Sequence, residues 1–183
     1  EYVERAAAQG IIAIMVAGGL SLEEPITLPH GGSKPLFSSN PFAIGFPTHD
    51  SHPIVLDFAT TKIAGGKVVL AMAKGEQIRD GCLIDKNGKP STNPNDLFTG
   101  GALLPFGEHK GFGLMVAAEI LGRILSGADD YSDSPHAGVG FRQSGVTLIA
   151  LDSGAFSSVG QFAAVSYTHL RAHETREDLG LRG

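Results

Sequence analysis

The chain has 183 residues, enough for one domain with a real core or for two small ones. A net charge of -5, a pI near 5.8 and scattered Lys and Arg exclude an electrostatic nucleic-acid binder. A single cysteine, Cys82, excludes an intramolecular disulfide framework and reads as a small apolar filler in a reducing compartment, the cytoplasm. No apolar run approaches the roughly 20 residues that a membrane span needs.

Glu1 to Gln9 reads as a helix already in progress, with Val3, Ala6 and Ala7 on one side and Glu1, Glu4 and Arg5 on the other. A first residue other than Met inside such a pattern predicts a fragment. Gly10 closes the helix, and Ile11 to Val16 follows as a continuous apolar run fit for a buried strand. Ala17 to Phe37, rich in Gly, Pro and Ser, reads as loop. Phe42 to Phe46 is a strand cut off by Pro47, Thr48 to Pro53 is a turn with exposed His49 and His52, and Ile54 to Phe58 is the next strand. Thr60 or Thr61 then caps a helix from about Lys62 to Lys74, weakened by Gly65 and Gly66.

Asp80 to Pro94 is polar and turn-rich, with Asp85-Lys86-Asn87-Gly88 as its turn. The strongest helix spans Lys110 to Ser126; it is apolar on most faces, which predicts burial, and carries a Glu119/Arg123 pair. Gly127 to Gly145 returns to loop, and Val146 to Leu151 is another strand. From Val165 to Gly183 apolar clustering ceases. The expected organisation is therefore a main body over 1–164 and a non-native tail over 165–183.

Two nucleotide-binding patterns fail. Gly138-Val139-Gly140 opens like GxGxxG, but Gln143 stands where the third glycine belongs. Gly66-Lys67 lacks both the leading glycine, replaced by Thr61, and the Ser or Thr that should follow, replaced by Val68. His169 and His173, with Glu174 beside them, have ligand spacing on a helix, but Glu177 breaks HExxH, and no metal is expected. Lys110 is more informative. It stands at the start of the long helix, where free amides and the positive dipole end favour an anion; otherwise it simply solvates a helix end. Asp57 ends an apolar strand just before a helix, as either a buried structural acceptor or a functional acid.

Several ordered blocks resemble the malate/L-lactate dehydrogenase family, the NAD(P)-dependent 2-hydroxyacid dehydrogenases without a Rossmann fold. They are Pro29-His-Gly-Gly32, Ser39-Asn-Pro-Phe-Ala43, Leu56-Asp-Phe-Ala-Thr-Thr61 with Gly66-Lys-Val68, Leu83 to Thr92, Ala102 to Pro105, and His109-Lys-Gly-Phe-Gly113. The resemblance implies an α/β (α+β) fold whose largely antiparallel or mixed sheet with flanking helices binds NAD or NADP, and a homodimer in the full-length parent. It implies a small 2-oxo or 2-hydroxy acid as substrate, with hydride passing between the cofactor and the substrate's C2. It also places Asp57, Phe58 and Ala59 along the cofactor, brings Lys110 and His109 to it, and makes Asn40 a candidate lining residue. The proton-donating histidine belongs to a segment upstream of Glu1, with Asp57 as its catalytic partner. Gly18 and Gly19 depart from the family's Ser or Asn, which puts one cofactor contact in doubt. The alternative is a non-catalytic folding or dimerisation fragment with at most weak anion binding. A fragment lacking both ends is expected to leave the Ile11 to Val16 and Val146 to Leu151 strands under-covered and to be poorly soluble.

Overall fold

A computed structural model describes residues 1–19, 25–49, 52–128 and 144–171, with 167–171 by backbone alone. The Gly138–Gly140 pattern, Gln143, His173, Glu174 and the side chain of His169 lie outside the described residues. The chain divides into two units, one of Glu1–Met15, Ala43–Leu56 and Leu148–Gly183, the other of Val16–Phe42 and Asp57–Thr147.

The first unit is built on a four-stranded sheet. Its strands β1 (Ile11–Gly18), β2 (Phe42–Phe46), β3 (Ile54–Phe58) and β7 (Gly145–Asp152) are ordered β3-β2-β1-β7. Helix α1 (Tyr2–Ala7) buries Val3 and Ala7, as its apolar spacing requires, and Gly10 turns out of it at φ 81°. The Val3 carbonyl lies against Gly45 of β2, where a side chain would have no room. The Ser153 hydroxyl donates to the Gly10 carbonyl at 2.8 Å. β1 differs from expectation: it is flanked by β2 and β7, and Ala13 and Val16 are buried. β7, an edge strand, carries exposed apolar side chains, among them Leu148, Ile149 and Leu151, as does β3 at Val55 and Leu56. Helix α4 spans Val159–Arg171.

The second unit gathers its core around Ile26, Val68, Ile78, Leu83, Leu97 and Leu103. Each such side chain contributes about 1.5–3 kcal/mol on burial. Helix α2 (Gly65–Lys74) supplies Val68 and Ala71 to this unit's buried side and ends in left-handed Gly75. It starts later than the sequence predicts. Ala64 is its N-cap and no side chain caps it, whereas the Thr60 and Thr61 hydroxyls donate instead to the carbonyls of Ser39 and Ile63. The glycines thus open the helix rather than interrupt it.

The polar stretch after Arg79 is more ordered than its composition predicts. β4 (Leu83–Ile84) pairs antiparallel with both β5 (Pro90–Ser91) and β6 (Ala102–Leu103), and a 3-10 turn covers Pro94–Thr99. Asp85 caps the intervening turn. The backbone amide of Lys89, then that of Asn87, holds its carboxyl below the usual carboxylate range.

Helix α3 (His109–Ala118) passes into a π-helical turn over Glu119–Ile124. The sequence predicts one buried helix here, but Ile124 is 61% exposed and Ile120 and Leu125 are exposed as well. Among the described residues the covered side is held by the Glu119 carboxylate, by the Thr147 hydroxyl, which donates to Leu121 O at 2.6 Å, and by a close approach of backbone to backbone. A Cβ on Gly122 would stand 2.4 Å from the Gly18 nitrogen, and one on Gly145 would stand 2.2 Å from the Gly122 carbonyl oxygen. Three glycines permit that approach.

Candidate active site

The corner after β3 is locked by the chain around it. Thr60 donates from both its amide and its hydroxyl to the Ser39 carbonyl, at 2.9 and 2.8 Å. Phe106 N donates to Thr60 O at 3.1 Å, and Lys62 N donates to Leu104 O at 2.8 Å. Phe58 stands against two rings, Phe42 at 5.8 Å and Phe106 at 5.7 Å, the latter edge-on. These contacts hold Asp57-Phe58-Ala59 as a rigid wall.

Beside that wall lies a cleft of about 410 Å³, a common size for a small-molecule site. Asp57, Phe58, Ala59, Thr61, Lys62, Ile63, Ala64, Lys67 and Arg79 line it, and a second cavity that shares Phe58, Ala59, Thr61, Lys62 and Arg79 adds Phe106 and Gly107. Three cations therefore face one carboxylate. Arg79 is fixed by donation from Nη2 to the Lys62 carbonyl at 3.0 Å. Among the described residues none of Lys62, Lys67 and Arg79 has an acidic partner. The uncapped start of α2 also opens here, at Ala64, and its first turn holds no acid. An excess of cations, free helix amides and aromatic faces is a donor set for a phosphorylated, ring-bearing ligand.

The residues singled out from sequence are partly brought together. Asp57, Phe58 and Ala59 line the cleft, and Asp57 is exposed, which removes its reading as a buried acceptor. His109 and Lys110 are exposed at the start of α3, just past the rim residue Gly107, whose carbonyl accepts from Lys110 N at 3.1 Å. Asn40 is elsewhere. It is 1% exposed, and its amide donates to Met115 O at 3.0 Å and to Glu119 Oε2 at 2.9 Å. Its chain neighbour Ser39 is the acceptor for Thr60, which ties the Asn40 segment to the corner.

Glu119 is the centre of that support. Its carboxylate also accepts from Gly19 N at 2.9 Å and from Arg123 Nη1 at 3.0 Å, the ion pair that the sequence predicts. Lys62, Lys67 and Arg79 are the cleft residues that sequence reading misses. Lys62 and Lys67 flank the start of the helix that follows Asp57, a signal that was available; Arg79 has none, since only the return of the chain after α2 brings it in.

A strand-to-helix corner lined by cations thus stands in an α+β fold of antiparallel sheets with flanking helices. The family model described as Malate/L-lactate dehydrogenase matches residues 1–178. This chain belongs to the malate/L-lactate dehydrogenase family. It is 37% identical over 155 residues to a Delta(1)-pyrroline-2-carboxylate/Delta(1)-piperideine-2-carboxylate reductase of Pseudomonas putida, covering 83% of this chain and 44% of the relative. It is 36% identical over 126 residues to a (2R)-3-sulfolactate dehydrogenase (NADP(+)) of Chromohalobacter salexigens, covering 69% of this chain and 36% of the relative. The crystal structure of delta1-piperideine-2-carboxylate reductase from Pseudomonas syringae superposes with a TM-score of 0.77 at 36% identity, over 93% of this chain and 51% of that one. The chain spans about half the length, or less, of these relatives.

Proposed function

We propose that the protein to which this chain belongs transfers a hydride between a nicotinamide cofactor and C2 of a small 2-oxo or 2-hydroxy acid, with the cofactor in the Asp57–Ala59 cleft. One observation carries this reading: three cations without acidic partners among the described residues face an aromatic-backed wall at the start of an uncapped helix. The donor set fits such a cofactor, whose chemistry when bound is to give or accept the hydride. Lys62, Lys67 and Arg79 bind its phosphates, and their excess over Asp57 favours NADP over NAD. Phe58 and Phe106 offer ring faces and exclude water at the mouth. Asp57 orients the imidazole that protonates the substrate oxygen, a group that the family resemblance puts ahead of Glu1. Lys110 adds charge just past the rim. The exposed edge strand β7 supports assembly as a homodimer, and the unpaired, buried Cys82 supports a cytoplasmic setting.

Titration of the chain with NADPH and NADH, followed by nucleotide fluorescence, tests the cleft. NADPH is expected to bind more tightly. Lys62→Ala, Lys67→Ala and Arg79→Ala are each expected to weaken NADPH about tenfold, the loss of one charge-assisted hydrogen bond. Equal binding by the variants, or no binding at all, overturns the cleft assignment. Adding pyruvate or oxaloacetate separates the second reading, a non-catalytic fragment. Substrate-dependent loss of NADPH absorbance excludes it.

A further inference from the structure

On the same unit, the start of α3 carries a cluster that the cofactor reading does not use as a set. The imidazoles of His30 and His109 and the carboxylate of Glu108 offer ligand atoms that all lie within 4.8 Å of one another, and all three residues are exposed. The two rings meet edge-on, with centroids 5.9 Å apart. We propose that His30, Glu108 and His109 form a binding site for a late first-row transition-metal dication such as Zn²⁺ or Ni²⁺.

The backbone brings the three groups together. Thr27 bridges Leu103 in parallel, Leu28 N donates to Leu103 O at 3.0 Å and Leu103 N to Ile26 O at 2.8 Å. The two segments therefore run side by side and deliver His30 from one and Glu108-His109 from the other. Behind His30 the chain is fixed by a turn in which Gly32 N donates to Pro29 O at 3.0 Å.

Ligand atoms around a tetrahedral Zn²⁺ stand about 3.3 Å apart, given metal–ligand bonds of about 2.0–2.2 Å. Side-chain rotation of exposed residues closes that gap without moving backbone. Two imidazoles select Zn²⁺, Ni²⁺ or Cu²⁺ over Mg²⁺ and Ca²⁺, which require oxygen ligands. Three protein ligands leave a coordination position for water. The positive end of α3 and Lys110 oppose a cation here, and Glu108 supplies the local negative charge that offsets them.

Isothermal titration of the chelator-stripped chain with Zn²⁺ and with Ni²⁺ tests the site independently of nucleotide binding. One ion per chain with a micromolar or tighter Kd is expected. His30→Ala and His109→Ala should each weaken Zn²⁺ at least about tenfold, and Glu108→Gln by less. Circular dichroism confirms that these surface variants stay folded. The double variants H49A/H52A and H169A/H173A should leave the affinity unchanged. Binding no tighter than about 100 µM (about -5.5 kcal/mol), an unaltered Kd in His30→Ala, or loss of the ion in H169A/H173A overturns the proposal.

Discussion

Glu119 allows a worked test of what holds the cleft corner in place. Its carboxylate is 7% exposed as a residue and accepts from Gly19 N, Asn40 Nδ2 and Arg123 Nη1 at 2.9, 2.9 and 3.0 Å. Truncation to alanine strands the Gly19 amide and deprives the guanidinium of its ion pair, whereas the Asn40 amide keeps Met115 O. Breaking a fully buried pair costs about 3–5 kcal/mol. The Arg123 side chain is 23% exposed and regains water, so the lower end, about 3 kcal/mol, is expected. Glu119→Gln keeps the shape and one acceptor oxygen and should cost about 1–2 kcal/mol. With a urea slope of about 2 kcal/mol/M, the unfolding midpoint of Glu119→Ala should fall by about 1.5 M and that of Glu119→Gln by less. Asn40 and Ser39 are adjacent, so cleft affinity for NADPH should weaken in parallel. A midpoint within about 0.25 M of the parent would refute the view that this carboxylate ties β1, the Asn40 segment and α3 together.

Other outcomes follow from particular residues. Gly122→Ala should destabilise by more than about 2 kcal/mol, because its Cβ meets only backbone, the Gly18 nitrogen at 2.4 Å. Gly113→Ala, where a Cβ meets nothing, should stabilise α3 by about 0.5–1 kcal/mol; urea midpoints read both. Asp85, held low by the amides of Lys89 and Asn87, contributes stability above its unfolded value near about 3.9, and that contribution is lost as pH falls through its lower folded value. Asp85→Asn should therefore flatten the acid limb of stability below about pH 4 in melts across pH. Leu148→Glu with Ile149→Lys should raise the soluble fraction of the expressed chain. A parent that elutes as a sharp monomer and melts cooperatively would contradict the aggregation reasoning.

Local signals were read correctly where one residue or one short pattern decides them. The apolar runs at Ile11, Phe42 and Ile54 became strands, Gly10 and Pro47 ended elements, and Asp85 to Gly88 turned. Asp57 stands near the end of β3 and is exposed, so of its two readings from sequence the buried acceptor falls away. Reading failed where a distant partner decides. Thr60 looks like a helix cap by position, yet the Ser39 carbonyl takes its hydroxyl. The apolar run after Lys110 looks like a buried helix, yet Ile120, Ile124 and Leu125 are exposed.

The sequence by itself determined the family, through the resemblance of its ordered blocks, and the strands at Ile11, Phe42 and Ile54, because short-range periodicity is local. Only the tertiary structure decided that Lys62, Lys67 and Arg79 share one cleft and that Asn40 is a buried brace. The same holds for His30 meeting Glu108 and His109. Such contacts join segments far apart in the chain, and their energies arise only when packing brings those segments to the same place.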